Sequence, residues 1–187
     1  MTHASNNRDI HVSYGENAKG TFFDFDFDAD KISISGDYCP TLGGNISSET
    51  NLDETTLYTL ENFTGEDADD EISELKIMIP GKLDDGSPTG KLGFVEISKR
   101  YTSYYDSDTY GIYSNYFDFQ DDGTVSSGST YWTLEPSFDK LEEADPTSDT
   151  FTPGEGGALH VSTGTWSVQG NGKILIVDGD DNLYLDF

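Results

Sequence analysis

Hydrophobic and polar positions alternate along much of this chain. In GTFFDFDFDADKISISGDY, Phe23, Phe25 and Phe27 alternate with Asp24, Asp26 and Asp28. A period of two marks a strand with one buried and one wet face. Asp28–Lys31 reads as a turn, and Ile32 and Ile34 begin a second alternating strand, so this stretch predicts a β-hairpin. LYTLENF (57–63) reads as a short strand, and LKIMIPG (75–81) as one ended by Pro80 and Gly81. KLGFVEISKRYTSYY is a further strand. YGIYSNYFDFQDDGTVSSGSTYWTL reads as strand, turn at Asp121–Gly123, and strand. ALHVSTGTWSVQGNGKILIVDGDDNLYLDF predicts three short strands with tight turns at Gly170–Gly172 and Asp178–Asn182.

Between these runs lie polar connections. Residues 1–18 predict a flexible N-terminal arm. Residues 40–56 read as a Gly-, Asn-, Ser- and Thr-rich loop, DDGSPTG (84–90) as a turn cluster, and LEEADPTSDTFTPGEGG as an acidic connection. EDADDEISE suits a helical turn or a loop. No segment has the pattern of an amphipathic helix. The expectation is one all-β domain over 19–187. Its strands follow one another as an antiparallel meander, which closes most simply into a barrel, with a β-sandwich as the competing arrangement.

Composition supports a folded core. Of the 187 residues only 34% are hydrophobic, but 11 Phe and 11 Tyr supply large buried areas per side chain. Disordered chains are poor in such residues. The net charge of −26 repels phosphate backbones and anionic bilayers, so neither nucleic acid nor membrane insertion is expected. An apolar stretch of membrane-spanning length is absent, and the N-terminus has no apolar signal-peptide core. The remaining readings of the charge are solubility at high salt, divalent cations, or a basic partner. Lys outnumbers Arg, and Asn and Ile are common, which favours a secreted or cell-surface protein over one from the cytoplasm of a salt-adapted organism. Cys39 is the single cysteine, so no intrachain disulfide forms.

YFDFQDDGTVSSGSTYW and STGTWSVQGNGKILIVDGDDNLYLDF carry a recurring pattern. Phe119, Asp122, Gly123 and Thr124 match F-x-x-D-G-T. Gly164, Thr165, Trp166, Val168, Gly170, Asn171, Ile174 and Ile176 match G-T-W-x-V-x-G-N-x-L-x-L, and Asp178–Gly179 precede a last strand. Over about the last 70 residues the chain resembles bacterial lipocalin-like (calycin-type) domains. The resemblance implies a β-barrel that holds a small, largely apolar ligand, with Trp166 anchoring the core near a barrel end.

Candidate chemistry is sparse. Tyr101, Tyr104, Tyr105, Tyr110, Tyr113 and Tyr116 crowd one segment. They suit a platform for a flat ligand or a sugar, or simply alternate between core and outer face. The ligand-binding candidates are Tyr104, Tyr110, Tyr113 and Trp132. Asp178, Asp180, Asp181 and Asn182 share a turn, and calcium takes six to eight oxygen ligands, so this is the first candidate metal site. Asp67, Asp69, Asp70 and Glu71, and also Asp106 and Asp108, are similar runs, yet none has full EF-hand spacing. His3, His11 and His160 do not form an evident triad, no G-x-S-x-G elbow occurs, and GNGK at Gly170–Lys173 lacks the elements of a phosphate loop.

The expected function is therefore non-enzymatic: a secreted or surface barrel binding a small apolar ligand or a protein partner. Alternatives are a structural or adhesive subunit that self-associates through strand edges, with calcium at the joint, and a carbohydrate-binding module. No cofactor is required; Ca2+ is the one candidate.

Overall fold

The Phe/Asp alternation forms a strand as expected: Thr21–Asp28 (β2) pairs antiparallel with Lys31–Ser35 (β3) across Ala29–Asp30, with Phe25 opposite Ile34 and Phe27 opposite Ile32. The structure, a computed structural model, describes residues 9–15, 20–37, 41–52, 54–65, 71–102, 107–130 and 159–186. The other strands are Ile10–Tyr14 (β1), Leu42–Leu52 (β4), Thr55–Gly65 (β5), Glu71–Lys82 (β6), Pro88–Thr102 (β7), Ser107–Phe119 (β8), Thr124–Thr130 (β9), Leu159–Val168 (β10), Ile174–Asp178 (β11) and Asp181–Asp186 (β12). Each pairs antiparallel with its neighbours in sequence, and β1 pairs with β12. The described residues are thus an all-β meander closed into a twelve-strand barrel, not a sandwich.

Three expectations change. Part of the expected arm is strand β1: Ile10 and Val12 are buried in the core, because Ile10 stands opposite Phe25 and Val12 opposite both Phe23 and Leu185. The expected loop at 40–56 is mostly β4, whose Gly43–Gly44 lets neighbouring backbone approach closely: a Cβ on Gly44 would lie 2.7 Å from the Glu61 carbonyl oxygen. Closure of the sheet also removes the free first and last edges on which edge-to-edge self-association would depend.

Alternation sorts side chains to the inside and the outside. Inside lie Ile10, Val12, Phe23, Phe25, Ile32, Ile34, Leu60, Leu75, Ile77, Leu92, Phe94, Phe117, Phe119, Ile174, Ile176, Leu183 and Leu185, all buried. Phe22 joins them out of phase. The pairing shifts between Val12 and Ser13, which stand opposite Phe23 and Thr21, so Phe22 is the extra residue of a bulge. Its ring lies 4.7 Å from that of Phe23 and 5.5 Å from that of Phe117. Phenylalanine rings therefore pack against one another across the middle of the barrel. Outward positions on β2 and β3 are Asp24, Asp26, Asp28, Lys31 and Ser33, the reverse of a membrane barrel with its apolar outer band.

The outer face departs from this rule on β6–β8. Met78, Val95, Ile97, Ile112 and Tyr116 point away from the lumen yet form a second buried cluster. Tyr116 fits there because Gly93 and Gly128 flank it: a Cβ on Gly128 would strike its ring.

Candidate functional site

One end of the barrel carries the turns at 29–30, 83–87, 120–123 and 169–173. Trp166 packs on the core at this first end. Its indole Nε1 donates to the Gln120 carbonyl (3.0 Å), its backbone N–H donates to the Gly123 carbonyl (2.9 Å), and its ring meets Phe119 edge-on at 6.3 Å. Asp122 accepts from the Thr124 N–H (2.9 Å) and hydroxyl (2.6 Å), which shapes the same turn and holds the Asp122 carboxyl below the usual range. The F-x-x-D-G-T and G-T-W residues thus converge on one barrel end.

The second end differs. There the lumen-facing side of β7–β11 turns polar. Glu96 stands opposite Tyr113, Asn115 opposite Ser129, and Ser127 opposite Ser162. Glu96 is only 2% exposed and accepts a hydrogen bond from the Ser98 hydroxyl at 2.5 Å. Ser127 Oγ lies 2.5 Å from Asp178 Oδ2, Ser162 Oγ lies 2.6 Å from Asp178 Oδ1, and the two serine oxygens are 2.6 Å apart. Two serine hydroxyls and the carboxyl oxygens thus share three short contacts, and the oxygens keep further acceptor lone pairs. Ser162 is exposed and Asp178 half-buried.

Facing this polar arc is an apolar one. Tyr14, Phe22, Phe63 and Ile72 lie at the same end, half-buried and packed on the core. Tyr113 belongs to both arcs: its ring packs edge-on against Phe94 at 5.4 Å while its strand position pairs with Glu96. A two-sided wall has the chemistry to meet a molecule with an apolar body and a polar head.

The candidates read from sequence separate. Tyr113 lies on this wall. Tyr110 is in β8, with only its backbone described, and Tyr104 and Trp132 lie outside the described residues. Asp178 faces the lumen. Asn182 stands opposite Val177, one step out of phase with the Asp178–Asp181 pair, so the run does not converge on one point. Asp180 and Asp181 are exposed. Among the described residues no group of three His, Cys, Asp or Glu side chains is arranged to hold a metal ion. The runs at Asp67–Asp70 and at Asp106, together with Cys39 and His3, lie outside the described residues. His11 is on the outer face, its Nδ1 3.5 Å from Asp24. Ser127, Ser162 and Glu96 leave no mark in the sequence, because serine and a lone Glu within strands carry no spacing signal.

Compared with protein families, curated proteins and solved structures, the chain matches none. The closed antiparallel barrel is compatible with the lipocalin-like architecture that its C-terminal residues resemble.

Proposed function

We propose that this protein is a non-enzymatic binding protein, acting outside the cell or at its surface. Its second barrel end takes a small amphipathic molecule. The observation that carries this reading is the Ser127–Ser162–Asp178 ring, set across from Tyr14, Phe22, Phe63 and Ile72. A head group that brings an N–H or O–H donor satisfies the ring. An apolar body gains by covering the half-buried side chains, at about 25 cal/mol per Å² removed from water. Phenylalanine rings pack across the middle of the barrel, so the reading places the ligand at the end.

The test is a thermal-shift titration with a panel of chain alcohols, amines and carboxylic acids of matched length. Alcohols and amines are expected to raise Tm saturably, and carboxylates are expected not to. Ser127→Ala and Ser162→Ala should each weaken binding about tenfold, as for one lost hydrogen bond to a charged partner. A panel with no saturable shift, or one equally effective on the Ser127→Ala/Ser162→Ala double variant, sinks the reading.

A further inference from the structure

The outer face of β2–β5 carries a depression formed by residues other than those of the polar arc. Its volume is about 180 Å³, and its lining includes Asp26, Asp28, Lys31, Ser33, Asn45, Asn62 and Thr64. Cross-strand register explains it. The outward row Asp26, Ser33, Gly43, Thr64 has small residues at its centre, and the next row, Asp28, Lys31, Asn45, gives a tall flank. The β4–β5 pairing shifts between Gly43 and Asn45, and within that irregularity Asn62 has φ of 52°, a conformation Asn tolerates better than most residues. Gly43 contributes no side chain; a Cβ there would also press on the Ile32 carbonyl at 3.0 Å.

We propose that this depression binds a neutral polyhydroxy ligand, a single saccharide ring. The lining combines two carboxylates, one ammonium, two carboxamides and two hydroxyls, so both acceptors and donors face a space of about one ring. Neighbouring sugar hydroxyls, each both donor and acceptor, match such a set. The other ligand charges fit worse. An anion meets Asp26 and Asp28, whereas a metal cation meets Lys31 and only two carboxylates. Slight burial, then the neighbouring Asp24 and Asp9, raise the Asp26 pKa, and His11 opposes the shift. No aromatic face lines the depression, so affinity rests on hydrogen bonds and falls in the millimolar range.

Titration of glucose, galactose, mannose and N-acetylglucosamine into the isotopically labelled protein, followed by amide NMR, tests this. Saturable shifts are expected at residues 31–33, 43–45 and 62–64, unchanged by added salt because the ligand is neutral. Asn45→Ala, and Asn62→Gly, which keeps the positive φ, are both at solvent-facing positions and should each weaken binding about tenfold. Ser162→Ala, at the other site, should leave it unchanged. The proposal is overturned if no sugar gives saturable shifts at those residues. It is equally overturned if the same residues respond to magnesium or phosphate in place of sugar, or if the asparagine variants bind as the parent does.

Discussion

Single residues show how burial sets charge in this acidic chain. Asp118 lies beside Lys91 on the outer face. Burial raises its pKa; Lys91 opposes that shift and Glu54 adds to it. Asp26 is raised in the same sense. A carboxyl with a raised folded pKa binds more protons folded than unfolded between its two pKa values, so stability falls as pH rises through that window. Asp85 and Asp122 act oppositely. Hydrogen bonds from Ser87 and Thr124 lower their pKa values, so their stabilisation is lost only as pH falls below the ordinary carboxylate range. Tm should therefore rise on mild acidification from neutrality and drop again in stronger acid. In Asp118→Asn, Tm at neutral pH is expected to gain about 2–4 °C, equivalent to about 1 kcal/mol for a chain of this size, with a flatter rise on acidification. A calorimetric Tm–pH profile of both proteins checks this. An identical slope in the variant would remove Asp118 as the cause.

At the scale of elements, β7 is the most informative strand. From Leu92 to Ser98 every residue is buried, on both faces. Alternation sends Leu92 and Phe94 into the lumen with Glu96 and Ser98, while Val95 and Ile97 join Met78, Ile112 and Tyr116 outside. The outer face of β6–β8 is thus a second core, whereas that of β10 is wet, with Val161 57% exposed. Ile97→Lys is expected to cost about 3–5 kcal/mol, a buried unpaired charge plus lost packing. Thr163→Lys, outward on β10, should stay within about 0.5 kcal/mol. Urea unfolding of the two variants decides it, and equal midpoints would mean the outer cluster contributes nothing. Continuous burial of both faces is written in KLGFVEIS as a run without alternation. The lumenal serines and Glu96 have no such mark, since a strand face is set by register and register by pairing with distant strands.

The molecule as a whole carries a net charge of −26. Repulsion among exposed carboxylates is screened within a Debye length of about 10 Å at 0.1 M salt. Sodium chloride should therefore raise Tm by several degrees between low and molar concentration. At matched ionic strength calcium chloride is expected to do no more, because Asp178 is tied to Ser127 and Ser162 and Asn182 lies out of phase with it. Differential scanning fluorimetry in the two salts separates the cases. A shift specific to calcium that survives Asp178→Asn would direct attention to the other acidic runs.

The sequence by itself determined the class of architecture. Alternation in FFDFDFD and KISIS fixes two strand faces, and turn residues such as Asp122–Gly123 and Gly179 place hairpins by local chemistry. It also marked Tyr113 and Asp178, though not their relation. Only the tertiary structure decided that Ile10–Tyr14 closes the wall, that Gly43–Gly44 lies within a strand, and that Ser127, Ser162 and Asp178 meet. The physical reason is separation along the chain: β1 and β12 lie at opposite ends of the sequence. A contact between distant strands depends on the register of the whole barrel, which no local pattern encodes.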